Sequence, residues 1–173
     1  MLNILIVCDH KSSLDSLVRI LTAKPFFNIT CICADTHAAI TVALQQQPDI
    51  VFLDGSSDPL AAIEATKKIL SCSTAAVIAL SRQADPEFAN HMLLAGALGY
   101  LTSQSSFIEV ITAVEEVAKD NVYCCLDTKQ FPIPTPLRHS SLKESMRSLR
   151  YNTRKKIDAV TNVHWHTILQ FTN

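Results

Sequence analysis

The strongest constraint on this chain is a set of short apolar runs without a polar face, each followed by a stretch with helical spacing. The runs are "NILIV" (3–7), "NITCICA" (28–34), "DIVFLD" (49–54), "AAVIALS" (75–81) and "GYLT" (99–102). A strand that meets water on one side alternates apolar and polar residues, and "ILIV" and "VIAL" do not. Apolar residues on both faces mark parallel strands covered by helices on both sides. Between the runs, Leu14, Leu17, Val18 and Leu21 form one helical stripe, with Ser12 and Ser13 as candidate N-caps. Residues 36–46 and 59–70 are Ala-rich helix formers, and Asp85 with Pro86 fits the cap and first position of a helix over 86–95. Phe107, Ile111, Val114 and Ala118 make a last stripe. Five β and five α segments in strict alternation predict an open, doubly wound α/β sheet of five parallel strands with helices on both faces.

Such sheets bind ligands at the carboxyl ends of their strands, where the strand order reverses. Asp9 follows the first run, Asp54 ends the third and Ser81 ends the fourth, so all three are expected on one edge. One aspartate after a strand is commonly a helix cap. Three polar positions on one edge point to a site.

The 173 residues fit one domain of ordinary size plus an appendage. No apolar run approaches the roughly 18 residues that a membrane span needs, so no transmembrane segment is expected. "MLNILIVCDH" lacks a basic leader and reads as a first strand rather than a signal peptide, which makes the cytoplasm the expected location. Cys8, Cys31, Cys33, Cys72, Cys124 and Cys125 do not form the paired knuckle spacing of a zinc site and are expected to be buried, reduced thiols. Alternation places Cys31 and Cys33 on one face of their strand. Residues 1–125 carry 7 Lys+Arg against 13 Asp+Glu, a net of −6, whereas residues 126–173 carry 8 against 3, a net of +5. That division implies different partners for the two segments.

"ILIVCDH", "PDIVFLD" and "AGALGYLT" together resemble response-regulator receiver domains, most of all those that precede a LuxR-type DNA-binding output. The resemblance covers roughly residues 1–125 and implies a flavodoxin-like, five-stranded domain in two-component phosphorelay signalling. It implies Asp54 as phosphoacceptor, Asp9 with Asp54 at a Mg²⁺ site, and Ser81 with Tyr100 as a coupled switch. It also implies a sensor histidine kinase or another regulator as protein partner, and a homodimer formed through the fourth-helix, fifth-strand, fifth-helix face.

Two positions depart from the family pattern. Cys8 stands where the first acidic metal ligand is expected, and Ser103 stands where a Lys would pair with the phosphoryl oxygens. The loop after Asp54, "GSSDPLAA", is also altered. A thiol is a soft ligand, and Mg²⁺ prefers an octahedron of hard oxygens, so Mg²⁺ is expected to bind weakly. Removing one carboxylate and one Lys together leaves the pocket charge unchanged at −2, so Cys8 and Ser103 read as a compensated pair that spares the fold while weakening the chemistry. No base or cofactor motif accompanies Asp54, and an enzyme is not expected. The reading is an atypical receiver that acts by protein contact. The alternative is a transcription regulator, weakly phosphorylated at Asp54, that binds DNA through its tail.

Residues 126–139, with prolines at 132, 134 and 136, predict an extended linker. Residues 140–173 predict a basic amphipathic helical tail in which Lys143, Arg147, Arg150 and Arg154 form a ridge. The ridge reads as a solvated face, a docking face for the acidic first segment within one chain or across a dimer, or a contact for nucleic acid or an anionic membrane surface.

Overall fold

The computed structural model describes residues 1–126. The linker expected over 126–139, apart from its first residue, and the expected basic tail over 140–173 with Lys143, Arg147, Arg150 and Arg154 lie outside the described residues. Strands and helices alternate as β1 (Leu2–Val7), α1 (Lys11–Thr22), β2 (Phe27–Cys33), α2 (Thr36–Gln46), β3 (Ile50–Asp54), α3 (Pro59–Cys72), β4 (Ala76–Ser81), α4 (Pro86–Leu94), β5 (Gly99–Thr102), α5 (Phe107–Val117) and β6 (Tyr123–Cys124). The sheet runs β2-β1-β3-β4-β5-β6, and every pairing is parallel. The expectation of five strands therefore falls one short. The two-residue β6 was not visible as a run, because Tyr123–Cys124 carries no periodicity of its own and pairs only through Gly99 and Tyr100.

The apolar runs divide their side chains between two cores, as covered parallel strands must. On one face Leu5, Val7, Val51, Leu53, Val77 and Ala79 pack with residues of α2, α3 and α4. On the other, Ile4, Ile6, Ile50, Phe52 and Ile78 pack with Leu17 and Leu21 of α1 and Val110, Ala113 and Val114 of α5. Burying a Leu- or Ile-sized side chain contributes about 1.5–3 kcal/mol, so these residues dominate the stability of the sheet. Leu14 and Val18 sit at the margin of the second core, as the stripe predicted. Phe107 does not follow its stripe: it is 44% exposed at the first turn of α5.

The helix starts follow from side-chain chemistry. Asp85 caps α4 by accepting from Phe88 N–H, with Pro86 in the first turn as predicted. Asp58 and Pro59 open α3 in the same way. Ser106 and Glu109 make a reciprocal capping box at α5. Helix α1 departs from expectation: its N-cap is His10, without a side-chain cap bond. Ser12 and Ser13 lie inside the first turn, because the helix begins only four residues after β1 ends and the chain turns at Cys8–His10.

Candidate functional site

Strand order reverses between β1 and β3, and the carboxyl ends of these two strands carry the residues singled out in the sequence. Asp54, the last residue of β3, is half-buried. Its Oδ1 accepts from Ser56 N–H at 2.8 Å, which folds the loop back over the strand end. Its Oδ2 accepts from the Cys8 thiol at 3.1 Å. Cys8 is only 5% exposed and also lies 3.5 Å from the His10 carbonyl. Burial first, and then the bond to Asp54, push the Cys8 thiol up to about 12. At neutral pH it is therefore a protonated donor.

Gly55 follows Asp54 because nothing larger fits. A Cβ there would overlap the tip of the Phe88 ring, which α4 lays across the strand end. Gly55 N–H donates to the Leu80 carbonyl at 3.0 Å, tying the loop after β3 to the end of β4.

Asp9 is exposed, and its Oδ1 lies 3.6 Å from His10 Nε2. The same imidazole nitrogen accepts from the Arg82 guanidinium and lies 3.2 Å from Ser57 Oγ. His10 thus joins three loops, those after β1, β3 and β4, across the mouth of the site. Sequence reasoning missed His10, Ser57 and Arg82. The available signal was position: His10 and Arg82 directly follow Asp9 and Ser81 at strand ends.

The Ser81 hydroxyl donates to the Gln83 carbonyl at 2.8 Å. Ser103 is exposed and donates to the Arg82 carbonyl at 2.7 Å, so it braces the β4–α4 loop and does not fill the pocket beside Cys8. Tyr100 is fully buried. Its hydroxyl donates to the Gln83 carbonyl at 3.3 Å and accepts from Asp85 N–H at 3.1 Å, and its ring meets Phe88 edge-on at 6.2 Å. Burial pushes the Tyr100 phenol up. Three hydroxyls, from Ser81, Tyr100 and Ser103, therefore fix the segment between β4 and α4.

The donor set fits Mg²⁺ poorly. A hard divalent ion takes carboxylate and water oxygens. Here a protonated thiol occupies one oxygen of Asp54, and no cluster of three ligating side chains occurs among the described residues. The thiols are less uniformly buried than expected: Cys8 and Cys33 are buried, while Cys31, Cys72, Cys124 and Cys125 are half-buried. All six are free.

The chain is similar to several characterised proteins. It is 26% identical over 147 residues to the transcriptional regulatory protein DegU of Brevibacillus brevis, covering 84% of this chain and 58% of that one. It is 30% identical over 124 residues to the oxygen regulatory protein NreC of Staphylococcus epidermidis, covering 70% and 57%. The chain thus spans little more than half the length of these relatives. A solved two-component response regulator of the LuxR family, from an Aurantimonas species, superposes with a TM-score of 0.69 at 26% identity, covering 75% of this chain and 94% of that one. The isolated receiver domain of RcsB from Salmonella enterica shares the fold, with a TM-score of 0.67 at 17% identity over 75% of this chain and 97% of that one. The response regulator receiver domain model matches residues 4–115, and the chain belongs to that family.

Proposed function

We propose that this chain is an atypical receiver that accepts a phosphoryl group at Asp54 poorly or not at all and regulates by protein contact. The observation that carries this reading is the Cys8 thiol on Asp54 Oδ2 at 3.1 Å, in the place of a metal-binding carboxylate. Phosphoryl transfer to a carboxylate depends on positioning and on neutralising the equatorial oxygens. One cation about 4 Å from the phosphoryl group contributes up to about 4 kcal/mol at an effective dielectric near 20. Its loss at Ser103 therefore weakens stabilisation by up to roughly several hundredfold. The Arg82 guanidinium is engaged with His10.

The contact partner in this reading is a sensor histidine kinase, another regulator or a second copy of the chain, in the cytoplasm. No helix among the described residues is long and apolar enough to cross a membrane. A second reading, transcription regulation, draws on the relatives named as transcriptional regulators and on the net +5 of residues 126–173. In it the basic ridge contacts DNA phosphates.

Intact mass after incubation with acetyl phosphate and Mg²⁺ tests the first reading. The expected result is little or no adduct on the wild type and a clear adduct on Cys8→Asp/Ser103→Lys. Stoichiometric phosphorylation of the wild type would overturn it. For the second reading, duplex DNA affinity must fall steeply as salt rises. A flat response excludes phosphate contacts.

A further inference from the structure

All six cysteines fall within the described residues, and one pair has its sulfurs in contact: Cys31 Sγ and Cys33 Sγ lie 3.9 Å apart on β2. Alternation puts residues i and i+2 on one face, with Cα atoms roughly 6.6 Å apart in an extended strand. That is inside the upper end of the roughly 4.4–6.8 Å range over which disulfides form. Strand β2 is an edge strand, held only by β1. It also carries a bulge: Ile4 faces Ile29 and Leu5 faces Cys31, which leaves Thr30 as the extra residue. A bulge bends its strand locally, so the Cys-x-Cys segment starts where the backbone can give. The other thiols are placed differently. Cys8 is committed to Asp54, and Cys72 points at the Ile69 carbonyl in its own helix.

We propose that Cys31 and Cys33 form a redox-active dithiol that a hydroperoxide oxidises reversibly to an intrastrand disulfide. Cys31, the half-buried member, is the thiol that meets the oxidant, and Cys33, 7% exposed, is the resolving thiol. The Cys31 sulfur, as thiolate, attacks one peroxide oxygen; the O–O bond breaks, a sulfenic acid forms and one water leaves. The Cys33 sulfur then attacks the sulfenic sulfur, the S–O bond breaks and a second water leaves. Two thiols lose two electrons and two protons, and hydrogen peroxide becomes two waters. Burial, and then the bond to Cys31, push Cys33 up to about 11, in keeping with its role as second thiol. A bridge at the long end of the geometric range is strained and easily reduced, as suits a signal and not a structural staple.

The pair is wired to the Asp54 pocket. The Cys33 carbonyl accepts from Cys8 N–H at 3.0 Å, and the Cys8 thiol holds Asp54. Drawing the sulfurs from 3.9 Å to about 2.05 Å shifts the Cys33 backbone and, through it, Cys8.

The test uses the reduced full chain treated with hydrogen peroxide. Titratable thiols are expected to fall from six to four and to return to six with a dithiol reductant. Trypsin, cutting after Arg19 and Lys67, leaves Cys31 and Cys33 in one peptide with no other cysteine, and that peptide must lose two hydrogens. Cys31→Ser, at the more exposed position, must hold at five thiols. The proposal is overturned if the wild-type peptide gains oxygen without losing hydrogen. It is equally overturned if the lost thiols map to Cys124 and Cys125, or if a folded wild type keeps all six.

Discussion

The Cys8 thiol, just after β1, donates to Asp54 Oδ2 at the end of β3 across 3.1 Å. A neutral donor thus joins the two strands at the switch point where a third carboxylate would repel.

Cys8→Asp should therefore destabilise the fold in metal-free buffer, by about 1–3 kcal/mol, since it removes a bond to a half-buried charge and adds a like charge. Mg²⁺ should return that stability to the variant and leave the wild type unmoved. At 100 times its Kd the ion would add about 2.7 kcal/mol. Thermal melts with and without MgCl₂ check this, and an equal rise in both proteins would show that the thiol is not what disfavours the metal.

Stability should fall at alkaline pH with a contribution from Cys8. An unfolded thiol titrates near 9.0, and the folded one is pushed up to about 12. Below the unfolded value both states keep the proton, and the stabilising effect is fully present. Between the two values the unfolded chain releases a proton that the folded chain retains, so stability drops as pH rises. Cys33, pushed up to about 11, acts in the same direction. Denaturant midpoints followed from neutral pH to about pH 10 should decline more steeply for the wild type than for Cys8→Ser.

Tyr100→Phe removes the acceptor of Asp85 N–H and the donor to the Gln83 carbonyl. The expected cost is about 1–2 kcal/mol. Hydrogen exchange should quicken over residues 82–85 while the amides of β1 and β3 stay protected. A uniform loss of protection would mean that the hydroxyl supports the whole core and not this segment alone.

Gly55→Ala should cost about 1–3 kcal/mol, because the new methyl meets the buried Phe88 ring. Adding Phe88→Leu should recover part of that loss. Urea midpoints of the single and double variants measure the coupling, and strict additivity would argue against the contact.

Most of the scaffold was legible because it rests on burial. The runs ending at Val7, Asp54 and Ser81 are apolar on both faces, and a chain with that pattern has few ways to hide them. Helix α2 occupies the expected residues, and Asp85–Pro86 opens α4, because caps are local chemistry. What sequence could not supply was the direction in which short polar side chains turn. Ser81 and Ser103 donate to the carbonyls of Gln83 and Arg82, in the segment between β4 and α4. The meeting of His10 with Arg82 joins positions 72 residues apart and depends on two loops at once. The partner of Cys8 was likewise a matter of strand register and not of local pattern.

Strand β6 gives the protein an edge that is already occupied. Tyr123 and Cys124 pair with Gly99 and Tyr100, so the outer backbone of the first half of β5 is engaged by a segment tethered a few residues beyond α5. A short tether keeps that segment at a high local concentration, in the millimolar range for flexible links. Any second chain that sought to add a strand beside β5 would compete with this resident one on unfavourable terms. Displacing the resident strand from Gly99 and Tyr100 would have to begin by peeling β6 away.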